Sequence, residues 1–210
     1  MLFNNNQSFE QKRFIHSLLL PMALVFVMLI LKFIESIFNV SFANYGILPH
    51  TVPGLKGVVF APFIHGDWGH LWGNIMPFIV LTSSLLFFYR GVAYRTFWTI
   101  WFISGIIVWF IGRDSLHIGA SGVIYGIAAF LFLSGIIRNY IPLMAISFIV
   151  IFLYGSMIWG IWPFHEKLPY SWEAHLGGTL GGILMAIVFR KNGPQKPKVL
   201  WEDEEEDDET

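Results

Sequence analysis

The chain contains no cysteine, so disulfide frameworks, thiolate metal centres and cysteine nucleophiles are all excluded. Without thiols the sequence carries no mark of a redox compartment. Charge is scarce too, at 13% of the 210 residues against roughly 25% in an ordinary soluble domain. There is no internal repeat and no sign of a second domain. What fills the space is apolar: 55% of residues are hydrophobic and 18% aromatic. One water-solvated core cannot enclose that much apolar surface. Lipid is the solvent that accepts it.

The formal net charge of -1 conceals a division along the chain. Eight of the fourteen acidic residues lie in the run Glu202 to Glu209, leaving six against thirteen Lys and Arg elsewhere. The body is therefore basic and the tail acidic, a pattern that reads as a solvated, disordered tail. The first apolar stretch, from about Phe14 to Ile37, is longer than a signal-peptide core and has no small-residue cleavage site after it.

A helix needs about twenty mostly apolar residues to cross the hydrocarbon core. Six segments qualify, near 15–37, 68–88, 94–112, 119–137, 140–161 and 172–189. Lipid leaves no backbone group unpaired, so each is expected to be helical, with Pro77 tolerated inside one of them. With the N-terminus inside, Lys12, Arg13, Arg90, Arg95, Arg138, Arg190, Lys191, Lys196 and Lys198 fall on the inner side. Only Lys56, Arg113 and Lys167 fall outside, and Lys32 lies within the first span. That bias orients the bundle with both termini in the cytoplasm.

The resulting layout is a cytoplasmic N-terminus (1–13), a six-span all-α membrane domain (14–192) and a cytoplasmic acidic tail (193–210). The connection from about Phe38 to Asp67 is long, rich in Gly, Pro and aromatics, and falls on the outer side; such a loop is expected to be ordered and functional. The short N-terminus without a transit peptide points to a bacterial cytoplasmic membrane. The expected partners are the bilayer and membrane proteins, with no nucleic acid, no cofactor and no metal.

Polar side chains within spans are costly and face a bundle interior or a cavity. Three groups stand out. His65, Gly66, Asp67 and Trp68 run into the second span, followed by His70 and Asn74. The fourth opens with Gly119, Ala120, Ser121 and Gly122, and Tyr125 follows. The sixth opens with Glu173, Ala174 and His175, then Gly178 and Gly182. Spans two, four and six all run from outside to inside, so the three groups share a depth in the outer half of the membrane.

Helical spacing supports their convergence. His70 and Asn74 share a face, as do Ser121 and Tyr125, while Gly178 and Gly182 fall on the His175 stripe. Gly122 with Gly126, and Gly178 with Gly182, are small-residue pairs of the kind that let helices approach closely in lipid. A close approach of spans four and six brings Ser121 within reach of His175. A serine hydroxyl needs an adjacent base, and histidine is the usual one. His70 and Asn74 are suitable donors for a tetrahedral oxyanion. Asp67, Asp114 and Glu173 all lie closer to the outer surface, so a Ser-His dyad is the economical proposal.

These residues resemble the rhomboid family of intramembrane serine proteases. The resemblance rests on HGDWGHLWGN (65–74), GASGVIYG (119–126) and AHLGGTLGG (174–182), in that order, in spans two, four and six. It implies Ser121 as nucleophile and His175 as general base, with Asn74, His70 and the Ser121 backbone N–H as oxyanion donors. It implies that Tyr125 packs on His175, that Gly119 and Gly122 belong to the serine motif, that the first loop lies against the membrane, and that substrates enter laterally near the fifth span. The chain differs from many members in its first loop, where GLKGVVFAPFIH lacks a Trp-Arg pair.

The remaining polar residues have plainer readings. Ser83, Ser84, Ser104, Ser134, Ser147 and Ser156 are expected to bond back to carbonyls of their own helices. His65 is read as a structural hydrogen-bonding residue at the loop end, His117 as loop or cavity rim, and His16, His50 and His165 as interfacial. Trp159 and Trp162 are read as interfacial anchors in preference to a substrate gate.

Three rival functions fit the sequence less well. A transporter predicts polar residues through the whole membrane depth, whereas here the inner halves of spans two, four and six are almost purely apolar. A metal or haem protein is disfavoured because His65 and His70 are five apart and no HExxH pattern is present. A catalytically dead relative normally lacks the serine or the histidine. The sequence therefore reads as a hydrolase cutting transmembrane or membrane-anchored proteins.

Overall fold

The computed structural model describes residues 2–163 and 170–197. His165, Lys167, Lys198 and the acidic run from Glu202 to Glu209 lie outside the described residues. Among the described residues there are seven α-helices: α1 (Leu2–Phe38), α2 (Gly57–Phe60), α3 (Trp68–Phe88), α4 (Ala93–Ile111), α5 (Ser121–Arg138), α6 (Ile141–Tyr154) and α7 (Trp172–Val188). Five stretches are long and apolar enough to cross a membrane: Ser8–Phe38, Trp68–Phe88, Ala93–Ile111, Ser121–Arg138 and Ile141–Ile161. The last helix, α7, has 17 residues. The fold is all-helical and the protein is membrane-embedded.

Several boundaries differ from the sequence reading, each for a local reason. α1 continues N-terminally through the segment expected to precede the first span, since no glycine or proline interrupts 2–14. α5 starts at Ser121 because Gly119 has φ +105, outside the helical region. α6 ends at Tyr154 and continues as a tighter 3-10 segment, Gly155–Ile161.

Large aromatics fill the interior. Trp101, Phe78, Phe97 and Phe130 are buried with Leu71, Ile100 and Ile127 in one core shared by α3, α4 and α5. Outward faces are apolar as well: Phe14 on α1 is 56% exposed and Phe152 on α6 is 87% exposed. Water would penalise such faces, and lipid does not.

The glycines of α5 and α7 set the closest helix contact. A Cβ on Gly178 would overlap the Gly122 carbonyl, and one on Gly182 would overlap the Gly126 carbonyl. Ser104 of α4 donates to the Ala174 carbonyl at 3.0 Å, tying a third helix to this pair. The back-bonding expected of Ser104 is thus replaced by a bond across helices. Ser84 and Ser147 do bond back, to Val80 and Leu143.

The connection from α1 to α3 folds as short helical turns and reaches the segment before Ser121. Ile47 and His117 exchange backbone hydrogen bonds at 2.9 Å each, and Gly119 N–H donates to the Ala61 carbonyl at 2.9 Å. α3 and α7 are both capped. Asp67 accepts from His70 N–H at 2.8 Å, and Ser171 accepts from Ala174 N–H at 3.1 Å. Such a cap contributes about 1 kcal/mol. Both caps lie within four residues of the polar groups singled out in the sequence.

Candidate active site

The N-terminal ends of α3, α5 and α7 meet around a cavity of about 950 Å³. His70 and Asn74 line it from α3, Ser121 and Tyr125 from α5, and His175 from α7. Met157 and Trp159, in the 3-10 segment after α6, line it from the far side. Trp159 was read as an interfacial anchor, and the structure places it at the cavity.

Ser121 Oγ lies 2.8 Å from His175 Nε2. The other ring nitrogen, Nδ1, lies 2.8 Å from the Gly160 carbonyl. A carbonyl oxygen only accepts, so Nδ1 carries the proton and Nε2 presents its lone pair to the serine. Two aromatic rings stack on the imidazole. Tyr125 stacks on one face with centroids 3.9 Å apart and planes 4° from parallel, and Tyr170 stacks at 5.5 Å and 17°.

Opposite the serine, Asn74 Nδ2 donates one hydrogen to the His70 carbonyl at 2.8 Å, leaving its second N–H unspent. The Asn74 Oδ1 is buried with no partner. His70 Nε2 sits 2.8 Å from where a Cβ on Gly119 would stand, so the bare glycine lets the imidazole approach the turn before Ser121. As the first residue of α5, Ser121 has a backbone N–H without an intrahelical acceptor.

His65 packs edge-on against His70, with ring centroids 5.0 Å apart. Neither of its nitrogens makes a hydrogen bond of full geometry, and a weaker one to the Phe63 backbone is what remains of the expected hydrogen-bonding role. Burial, with the neighbouring His70 acting in the same direction, pushes its pKa down to about 3.

Glu173, at the mouth of α7, is fully buried within the protein. It pairs with Arg113 at 3.4 Å, accepts the Arg113 backbone N–H at 3.2 Å and accepts from the Ser171 hydroxyl at 3.3 Å. Arg113 also donates to the Tyr170 carbonyl, fixing the residue whose ring lies on His175. His117 lies in the loop between α4 and α5, the first of its two readings, and does not line this cavity. It is buried, 2.7 Å from the Ser171 hydroxyl and 3.1 Å from the Arg113 carbonyl, and burial lowers its pKa. His16 and His50 bond to backbone carbonyls of Lys12 and Phe110. Among the described residues, no group of three or more His, Asp and Glu side chains is gathered as a metal site.

Gly160, Tyr170 and Arg113 were not singled out from sequence. Gly160 falls near the end of the expected fifth span with nothing polar to mark it, Tyr170 lies in a connection, and Arg113 carries only the signal of an outer-side charge. The approach of Arg113 to Glu173 has a faint signal, since both flank short connections at one end of the bundle.

Residues 53–192 match the rhomboid domain. The chain belongs to the rhomboid family. Rhomboids are in general intramembrane serine proteases, and some members are inactive. An uncharacterized protein of Mycobacterium bovis is 35% identical over 154 residues, covering 69% of this chain and 63% of its own length. One from Mycobacterium tuberculosis matches to the same extent. One from Mycobacterium leprae is 32% identical over 179 residues, covering 80% of this chain and 68% of its own. The chain thus spans about 63% of the length of the first two relatives. Its apolar helices and these relatives mark a bacterial type of integral membrane rhomboid.

Proposed function

We propose that this rhomboid is an active intramembrane serine endopeptidase that cuts transmembrane or membrane-anchored proteins by a Ser121–His175 dyad. The observation that carries the reading is the 2.8 Å contact between Ser121 Oγ and His175 Nε2 inside a cavity also lined by His70 and Asn74. His175 takes the Ser121 proton as Oγ attacks the scissile carbonyl, then delivers it to the leaving amine. The resulting oxyanion is received by the Asn74 amide, the His70 imidazole and the Ser121 backbone N–H. Water then resolves the acyl-enzyme, with His175 again acting as base.

Six spans fit this reading, α7 being the sixth, with Gly178 and Gly182 on the face that meets α5. The N- and C-termini are cytoplasmic, the cavity opens toward the outer half of a bacterial inner membrane, and residues 193–210 form an inner tail. The reaction needs no cofactor or metal.

The test is labelling of purified protein with a fluorescent fluorophosphonate, comparing wild type with Ser121→Ala and His175→Ala. Labelling that requires both residues supports the dyad. Folded wild type that stays unlabelled and leaves a model transmembrane substrate uncut moves the reading to an inactive binding relative, the alternative that retains the fold without the chemistry.

A further inference from the structure

An ammonium group in a membrane-spanning helix is expensive, and Lys32 stands six residues before the end of α1. Its side chain is only 11% exposed. Each of its three N–H donors is used. Lys32 Nζ donates to Glu35 Oε2 at 3.0 Å, to the His65 carbonyl at 3.1 Å and to the Gly66 carbonyl at 2.8 Å. Glu35, equally enclosed at 9%, accepts the Phe42 N–H on its other oxygen at 2.6 Å. Ser36, on the same face of α1, accepts from the Trp68 indole N–H at 3.1 Å.

This one turn of α1 therefore grips the chain from His65 to Trp68. The gripped segment immediately precedes and begins α3, whose cap is Asp67 and whose first turn carries His70. His65, pinned by its own carbonyl, lays its ring against the His70 ring. Fastening a loop to a helix in lipid needs only apolar contacts. A charge with three donors, two of them spent on consecutive carbonyls, fixes the rotation of those two peptide planes as well. That rotation sets where α3 starts, and hence where the His70 imidazole and the Asn74 amide stand relative to Ser121.

We propose that Lys32 and Glu35 are positioning residues for the oxyanion side of the site: Lys32, neutralised by Glu35, locks the His65–Gly66 backbone and through it aims His70 and Asn74. The inference rests on the protease reading for its kinetic consequence, and on geometry alone for its structural one. Neither residue lines the cavity.

The experiment uses the full chain in lipid nanodiscs with a fluorogenic transmembrane substrate. It compares wild type, Lys32→Met and the double variant Lys32→Met/Glu35→Gln. The single variant leaves a buried carboxylate unpaired and loses stability for that reason alone. The double variant removes both charges while keeping an acceptor for Phe42, so its melting temperature recovers toward wild type. Its kcat is expected to stay down by about 10- to 100-fold, with KM within about twofold, the signature of an interaction made only in the transition state. A double variant with wild-type kcat overturns the proposal, as does a kcat that merely follows the melting temperature. If wild type itself neither labels at Ser121 nor cuts substrate, the protease reading falls and the imidazole ¹⁵N resonances decide this inference. A shift at His70 with His175 unmoved in the double variant supports it, and an unmoved His70 overturns it.

Discussion

Gly178 of α7 lies against the Gly122 carbonyl of α5 so closely that a methyl group at Gly178 would overlap it. Ser121 and His175 are the neighbours of these two positions by one and three residues, so the helix separation and the serine–histidine distance are set together. Small residues at a lipid-embedded crossing serve here to bring the serine hydroxyl and the imidazole to 2.8 Å.

Gly178→Ala is therefore expected to push α5 and α7 apart. Stability should fall by about 1–3 kcal/mol, as for other overpacked contacts, and fluorophosphonate labelling of Ser121 should slow more than stability alone explains. Gly91→Ala, where the nearest atom to an added Cβ is 3.6 Å away, serves as the control. Equal labelling rates in both variants would show that the crossing does not govern the site.

For the site itself, Ser121→Ala and His175→Ala should each lower turnover by roughly 10⁴-fold or more. Asn74→Ala, which removes one oxyanion donor, should cost about 10²- to 10³-fold. The assay is cleavage of a model transmembrane substrate at saturating concentration. An Asn74→Ala enzyme that turns over at the wild-type rate would contradict the role given to its free N–H.

Glu173 has no exposure, and its partners are Arg113 and Ser171. Removing one member of a buried pair typically costs about 3–5 kcal/mol, and the partial exposure of Arg113 places the expected loss for Glu173→Ala near the lower end. Equilibrium unfolding in mixed micelles measures it. A loss below about 1 kcal/mol would mean that water already satisfies Arg113 and Ser171.

His65 makes the stability depend on pH. Its pKa is lowered from 6.5 to about 3 by burial in the folded protein. Below pH 6.5 the unfolded chain takes up a proton there, and the folded chain does not until about pH 3. Stability should thus decline as pH falls through that window, by at most about 1.4 kcal/mol per pH unit from this group. His65→Gln should flatten the decline. A variant with the same slope as wild type would assign the effect to other groups.

The parts of this molecule that were legible in the sequence are those with helical periodicity. The start of α3 at Trp68, the shared face of His70 and Asn74, and the glycine stripe of α7 all follow from spacing and lipid-scale hydropathy. The parts that were not legible are contacts between segments with no repeating pattern. Nothing local marks Gly160 as an acceptor for His175, or Tyr170 as a second ring over it, because both depend on how the chain after α6 returns to the cavity. Glu173 was legible as a carboxylate at a helix mouth but not as a buried one, because its cation lies sixty residues away in sequence.

The Gly160 carbonyl gives His175 a property that a carboxylate partner would not. A carbonyl has no proton to gain within the range where proteins stay folded, so the ring keeps its aim in acid conditions that would neutralise an aspartate and release the imidazole. The other side of that constancy is electrical. In the proposed reaction the positive charge that forms on the ring meets the carbonyl dipole at contact, and the nearby Glu173 carboxylate, which does not hold the ring, supplies the favourable charge. Orientation and charge compensation, combined in a single residue in a Ser-His-Asp site, are here separate tasks.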